Sequence, residues 1–191
     1  AAIRRLGQRD PRGAGDGRLS DAAPPGSDTP AGGLRLGVDL GGTKIEAAIV
    51  DASGDEVAFV RRERVPTESA KGYEHVVATA AALVRSVAAA EGLDVATAPI
   101  GVGMPGSVSR RTGLVKNSNT ACLNGRPFRA DLERALGRSI AFENDANCFA
   151  LAEATWGAAR DARVAFGVIL GSGVGGGVVL ADGEGPRRRA W

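Results

Sequence analysis

Histidine occurs once in these 191 residues and cysteine twice, and aromatic side chains make up only 4% of the chain. Two thiols, Cys122 and Cys148, and the single His75 are too few for a Cys/His metal framework. The cysteines read as plain buried thiols rather than as a disulfide. Nothing approaches the roughly 18 consecutive apolar residues of a membrane-spanning helix. The first residues place Ile3 and Leu6 among arginines, glycines and prolines, which is no signal peptide. These absences suggest a cytoplasmic protein without a membrane partner. Excess charge is missing as well. The net +2 comes from the two ends, and residues 34–181 hold 16 basic and 16 acidic side chains. No basic stripe exists to follow a phosphate backbone, so nucleic acid is not an expected partner.

Glycine is abundant, with 28 residues, and it falls in two kinds of context. Residues 1–33 are rich in Gly, Pro, Asp and Arg without apolar periodicity and are expected to be disordered. The tail 182–191 reads as unstructured for the same reason. Between them, 34–181 has the regular pattern of a single α/β domain. Alternation predicts strands at 34–40, 44–50 and 56–64. Tyr73, Val76, Val77, Ala80, Val84 and Val87 recur at helical spacing before Gly92. A strand follows at 100–104, a short helix carries Phe128, Leu132 and Leu136 before Gly137, and a strand at 139–143 runs into a helix at 146–156. Strands at 164–170 and 177–180 flank a glycine-rich turn. This order gives a mixed sheet with helices packed on it.

Three motifs carry chemistry. Asp39-Leu40-Gly41-Gly42-Thr43-Lys44 lies between two strands, where paired glycines let backbone N–H groups approach a phosphate. Asp39, at a strand end, is placed to hold Mg²⁺ through water. A tight Gly-Gly hairpin is the structural alternative. Gly171-Ser172-Gly173-Val174-Gly175-Gly176-Gly177 has more glycine than a hairpin requires, which fits a second approach to phosphate; a flexible bend is its alternative. Glu143-Asn144-Asp145-Ala146-Asn147 sits at a strand-to-helix junction. Asp145 there is a candidate general base or, more simply, the helix N-cap.

In this order, with Gly103-Met104-Pro105-Gly106 between the first and third motifs, the sequence resembles the ROK family of sugar kinases and repressors. The resemblance runs over about residues 34–180. It is carried most by GVGMPGSVSRRTGLVKNSN, Leu123-Asn124-Gly125 and ENDANCFALAEATW, and it is nearest the fructokinase/mannokinase branch, with N-acetylglucosamine kinases next. It implies an actin-like (ribonuclease H-like) two-domain ATPase fold with sugar in the cleft. It also implies transfer of the ATP γ-phosphate to a hexose, at the 6-hydroxyl, with ATP and Mg²⁺ as cofactors. Fructose is the first expectation, mannose or glucose the next.

By position, the resemblance makes Asp145 the catalytic base. Asn144, Gly106, Ser107 and Asn119 become sugar contacts, alongside Asp145 itself. Gly41, Gly42, Thr43 and Lys44 form the first phosphate loop, and Gly171, Ser172 and Gly173 the second. The family's Glu-x-Gly-His segment, its Cys/His zinc site and its second domain find no counterpart here. A fragment with little activity alone, poor solubility and a homodimer only in the full-length form is therefore expected. The repressor alternative needs an N-terminal helix-turn-helix, which the Gly- and Pro-rich residues 1–33 do not supply. A non-enzymatic actin-like ATPase would share the phosphate loops but has no use for Asn144-Asp145.

Overall fold

The computed structural model describes residues 2–5, 33–54, 56–170, 174–181 and 188–190. In chain order its strands are β1 (Ala2–Arg5), β2 (Leu34–Leu40), β3 (Lys44–Asp51), β4 (Ala58–Pro66), β5 (Ile100–Met104), β6 (Ser107–Val108), β7 (Val115–Lys116), β8 (Ala141–Asn144), β9 (Val164–Leu170), β10 (Val174–Ala181) and β11 (Arg188–Ala190). The helices are α1 (Tyr73–Ala90), α2 (Phe128–Leu136) and α3 (Asp145–Thr155).

The first sheet has the order β4-β3-β2-β5-β8. β2, β3 and β4 pair antiparallel, because short turns join them, whereas β5 and β8 run parallel to β2. Parallel neighbours need a crossover, and α1 and α2 supply the two crossovers. Alternation fixes the buried face: Leu36, Val38 and Leu40 of β2 and Ile45, Ala47 and Ile49 of β3 are all buried. Val76, Ala80, Val84 and Val87 of α1 meet them, as do Phe128, Leu132 and Leu136 of α2. Each fully buried Leu, Ile, Val or Phe contributes about 1.5–3 kcal/mol, so this cluster is the main source of stability. α2 ends where the sequence reading placed its stop, with Gly137 in the left-handed region at φ 74°.

This topology positions a site. Register sets Asp39 of β2 beside Gly103 of β5, and Gly103 beside Glu143 of β8. The carboxyl ends of three parallel strands thus converge, which is where open α/β sheets bind ligands.

The second sheet, β1-β9-β10-β11, is antiparallel throughout and packs on α3. Its core is separate, built from Ala150, Ala154, Ala159, Ala165 and Val179. The single domain expected over 34–181 therefore has two hydrophobic centres. Two further expectations need correction. Ala2–Arg5 and Arg188–Ala190 were placed in unstructured ends, yet they extend the β9–β10 ladder at its two edges, where unpaired N–H and C=O groups offer a template for any extended segment. The rest of the expected disorder, at 6–32 and 182–187, lies outside the described residues. No helix among the described residues is long and apolar enough to cross a membrane.

Candidate active site

The turn between β2 and β3 is the first element of the site. Neither Gly41 nor Gly42 adopts a positive φ. A type I′ hairpin, which needs left-handed residues, is therefore not what requires them. Gly41 N–H bonds the Lys44 carbonyl at 2.9 Å, and a Cβ on Gly41 would stand 3.0 Å from that same oxygen. Thr67, fully buried, holds the turn from one side. Its Oγ1 donates to the Gly41 carbonyl at 2.7 Å and its N–H to the Thr43 carbonyl at 3.0 Å. The N–H groups of Gly42 and Thr43 take no partner among the described residues. Two adjacent unpaired amides on an exposed turn make an anion-binding nest. Lys44 follows, exposed, at the start of β3.

The second element is the β8–α3 junction. The helix N-cap is Asn144, not Asp145: Asn144 Oδ1 accepts from Ala146 N at 3.0 Å and from Asn147 N at 3.3 Å. This corrects the simpler reading of Asp145, whose position is the first turn of the helix. Asp145 Oδ1 accepts from Ala146 N at 2.8 Å, and its Oδ2 is without a partner among the described residues. Asn144 Nδ2 donates to the Gly106 carbonyl at 2.8 Å, which leaves one of its hydrogens for a ligand. Glu143 Oε1 accepts from Asn144 N and from Asn147 Nδ2, so the junction is bonded along its length.

The third element is the loop around β6 and β7. Gly106 is needed for close approach: its φ is 92°, and a Cβ would meet the Lys116 carbonyl at 2.6 Å. Asn124, on the following turn, grips Ser118 at both ends, accepting from its N–H at 2.9 Å and donating to its carbonyl at 2.8 Å. That clamp holds the exposed Asn119 in place.

The second and third elements line a cleft of about 760 Å³, and the turn lies beside it at Asn119. Gly106, Ser107, Asn119, Asn144 and Asp145, the five sugar contacts drawn from the resemblance, all line it. Asn117, Glu143 and Asn147 line it too, and the sequence reading gave them no role. Asn117 was recognisable only as a residue type that tolerates the left-handed conformation it adopts, at φ 57°. Amides and carboxylates supply most of the polar side chains of this lining, a set of donors and acceptors suited to adjacent hydroxyls.

Electrostatics connect the elements. Asp39 is exposed near the end of β2, yet its carboxyl pKa is raised, first by desolvation, then by the negative charges of Asp145 and Glu46. Lys44 and Arg62 oppose the rise without cancelling it. Cys148, one helical turn after Asn144, has its thiol pKa pushed up to about 11 by burial and by Glu143, Asp145 and Asp39. Its Sγ lies 3.3 Å from where a Cβ on Gly103 would be, so a side chain there would press on the thiol. Glu46 is also desolvated, but hydrogen bonding and charge from Arg62, with Arg64 and Lys44, hold its carboxyl below the usual range. His75 is remote from the cleft, on α1 beside Glu68 and Thr79.

The second glycine-rich segment behaves differently from the first. A Cβ on Gly177 would stand 2.5 Å from the Ala146 carbonyl, and one on Gly175 3.3 Å from Ala146 Cβ. One on Gly176 would touch the Phe166 ring at 3.0 Å. These three glycines let β10 lie against α3 and Phe166, so helix–strand packing accounts for much of the excess that suggested phosphate. Gly171, Ser172 and Gly173 lie outside the described residues. Gly175 and Gly176 do border the cleft, which places the second sheet on its far wall.

Residues 35–184 match the ROK family model. N-acetyl-D-glucosamine kinase of Vibrio parahaemolyticus serotype O3:K6 is 43% identical over 151 residues, covering 79% of this chain and 47% of that protein. The ROK hexokinase from Thermus thermophilus superposes with a TM-score of 0.65 at 34% identity, over 82% of this chain and 48% of that one. A ROK family glucokinase from Streptomyces griseus, solved with glucose and AMPPNP, gives 0.63 at 30% identity, over 82% and 46%. The chain spans about half the length of these relatives. Its mixed sheet and crossover helices are those of the actin-like ATPase fold that these sugar kinases share. On the family match and on the identity to a curated relative, the chain belongs to the ROK family.

Proposed function

We propose that this chain forms the sugar-binding side and first phosphate turn of an ATP-dependent sugar kinase, acting on an N-acetylhexosamine in preference to fructose. The observation that carries the reading is the convergence of Asp145, Asn119 and Ser107 on one cleft, beside a turn with two unpaired amides. The sequence resemblance favoured fructose. Several N-acetyl-D-glucosamine kinases at about 40% identity favour the acetylated sugar instead. The glucokinase that binds glucose and AMPPNP supports ATP as the phosphate donor.

In this reading Asn119, Ser107 and the free hydrogen of Asn144 Nδ2 orient the sugar hydroxyls. The free Oδ2 of Asp145 accepts the proton of the attacking hydroxyl. The amides of Gly42 and Thr43 hold the phosphate, with Lys44 adding charge. Catalysis then rests on positioning and charge stabilisation, as phosphoryl transfer requires. Gly171, Ser172 and Gly173 retain the role of second phosphate loop. The Mg²⁺ implied by ATP suits Asp39, because the charges of Asp145 and Glu46 disfavour an ionised Asp39 and a cation relieves that repulsion. No three metal-ligating side chains converge among the described residues, and Mg²⁺, which keeps several waters, does not need them. Bound there, Mg²⁺ would neutralise phosphate charge.

The test is ADP release from Mg·ATP with N-acetylglucosamine, N-acetylmannosamine, glucose, mannose and fructose, using a polypeptide as long as the relatives and its Asp145→Asn variant. N-acetylhexosamine-dependent turnover that Asp145→Asn lowers by about 10³-fold or more supports the assignment. Turnover dependent on fructose alone would return the specificity to the fructokinase branch. Undiminished turnover in Asp145→Asn removes the base.

A further inference from the structure

The loop that carries Asn119 contains a hydroxyl that none of the roles above uses. Thr120 is 1% exposed, and its N–H donates to Ser118 Oγ at 3.2 Å. Its own Oγ1 is buried and has no hydrogen-bond partner among the described residues. A hydroxyl stripped of water and left unpaired is destabilising. Its persistence in a site is best explained by a second state in which it is paired.

The backbone beside it identifies that state. A Cβ on Gly42 would stand 3.7 Å from Thr120 Oγ1 and 3.8 Å from Asn119 Oδ1, so the sugar loop and the phosphate turn meet at Gly42. Thr67 anchors the carbonyls of Gly41 and Thr43. Between them the peptide joining Gly42 to Thr43 is unbonded, among the described residues, at both its carbonyl and its N–H. In a planar trans peptide these two groups point in opposite directions. Turning the Thr43 N–H toward a bound phosphate therefore turns the Gly42 carbonyl away from it, toward the loop where the unpaired hydroxyl waits.

We infer that Thr120 is a positioning residue that couples the two halves of the site. Its hydroxyl donates to the Gly42 carbonyl once the turn holds a phosphate, and this fixes the adjacent Asn119 for the sugar. The inference rests on the kinase reading, and it adds that nucleotide and sugar bind cooperatively through this one contact. Coupling of this kind is reciprocal: whatever factor the nucleotide adds to sugar affinity, the sugar adds to nucleotide affinity.

The test is calorimetric titration of a polypeptide as long as the relatives with N-acetylglucosamine, with and without Mg·AMPPNP, in the wild type, Thr120→Val and Thr120→Ser. The wild type is expected to bind sugar about fivefold or more tightly when the nucleotide is present. Thr120→Val, which keeps the shape and removes the donor, is expected to bind sugar alone within about twofold of wild type, to bind Mg·AMPPNP severalfold more weakly, and to lose the coupling. Thr120→Ser, which keeps the hydroxyl, retains it. A thermal melt of the free Thr120→Val chain at or above the wild-type temperature excludes misfolding, since the substitution removes an unpaired group. If Thr120→Val keeps the wild-type coupling factor, or weakens sugar binding equally in both conditions, the inference is overturned. Binding of both ligands by the wild type without coupling overturns this inference alone. Binding of neither overturns the kinase reading and this inference with it.

Discussion

Asn144 Nδ2 donates to the Gly106 carbonyl across 2.8 Å, while the other end of the same amide caps α3. One side chain therefore ties the sugar loop to the helix that presents Asp145.

The two functions of Asn144 are separable. Serine is as good an N-cap but too short to reach Gly106, so Asn144→Ser should keep helix stability and release the loop. Asn144→Ala loses both and should cost about 0.5–2 kcal/mol more by urea denaturation. Sugar affinity should fall in both variants. Equal stability of the serine and alanine variants would show that the cap contributes nothing.

Asp39 should be a position where function opposes stability. Its raised pKa means that the folded chain binds the Asp39 proton more tightly than the unfolded chain does. A raised carboxyl pKa contributes stability at pH values below the ordinary 3.8, and that contribution is lost as pH rises through the folded value. At pH 7 the ionised group is therefore unfavourable, and Asp39→Asn should raise the melting temperature. The gain should shrink as pH falls toward 4, and Mg²⁺-dependent nucleotide binding should be lost. A lower melting temperature at pH 7 would mean that Lys44 and Arg62 outweigh burial and Asp145.

Much of this was legible in the sequence, and the misses have physical causes. The strand at Ile100–Met104 and the helix stop at Gly137 were readable because alternation and left-handed glycine are local signals. Gly106, Ser107, Asn119, Asn144 and Asp145 could be named from motif order, and the cleft gathers all five. The cap is Asn144, one residue before the Asp145 that the sequence suggests, because the two are adjacent and both are favoured cap residues. Thr67 and Thr120 were invisible: each acts on the Gly41–Gly42 turn from a distant part of the chain, and threonine carries no periodicity that marks a contact. The strands at Ala2–Arg5 and Arg188–Ala190 were missed because edge pairing depends on a neighbouring ladder rather than on their own composition.

The glycines of β10 provide a sharper contrast. On Gly177 a Cβ would stand 2.5 Å from the Ala146 carbonyl and 2.8 Å from its carbon, backbone atoms of a helix that cannot yield. Gly177→Ala should destabilise the chain by about 1–3 kcal/mol, the range for overpacking. On Gly101 a Cβ meets nothing within 4 Å, so Gly101→Ala, in a strand with ordinary φ, should be neutral or slightly stabilising. Thermal melts of the two variants decide it. Similar melting temperatures would indicate that α3 does not rest on β10 as closely as the packing of Ala146 and Ala150 implies.

Cys148 should be the slow thiol. Burial, reinforced by Glu143, Asp145 and Asp39, lifts its pKa from 9.0 to about 11. At a given pH below 9 this leaves about a hundredfold less thiolate than in the unfolded chain, and thiolate is the reactive form. Iodoacetamide at pH 8 should therefore label Cys148 at least about tenfold more slowly in the native chain than in urea, read by mass spectrometry of tryptic peptides. The same shift sets a pH dependence. The folded state retains the thiol proton where the unfolded state has lost it, so stability should decline as pH rises from about 9 to about 11. Cys148→Ser should flatten that decline. Mg·AMPPNP should alter the labelling rate, because a cation at Asp39 removes one of the three charges that hold the thiol protonated. Labelling of Cys148 at the rate seen in urea would show that the junction between β8 and α3 opens freely, and that Asp145 is not held as the cleft geometry requires.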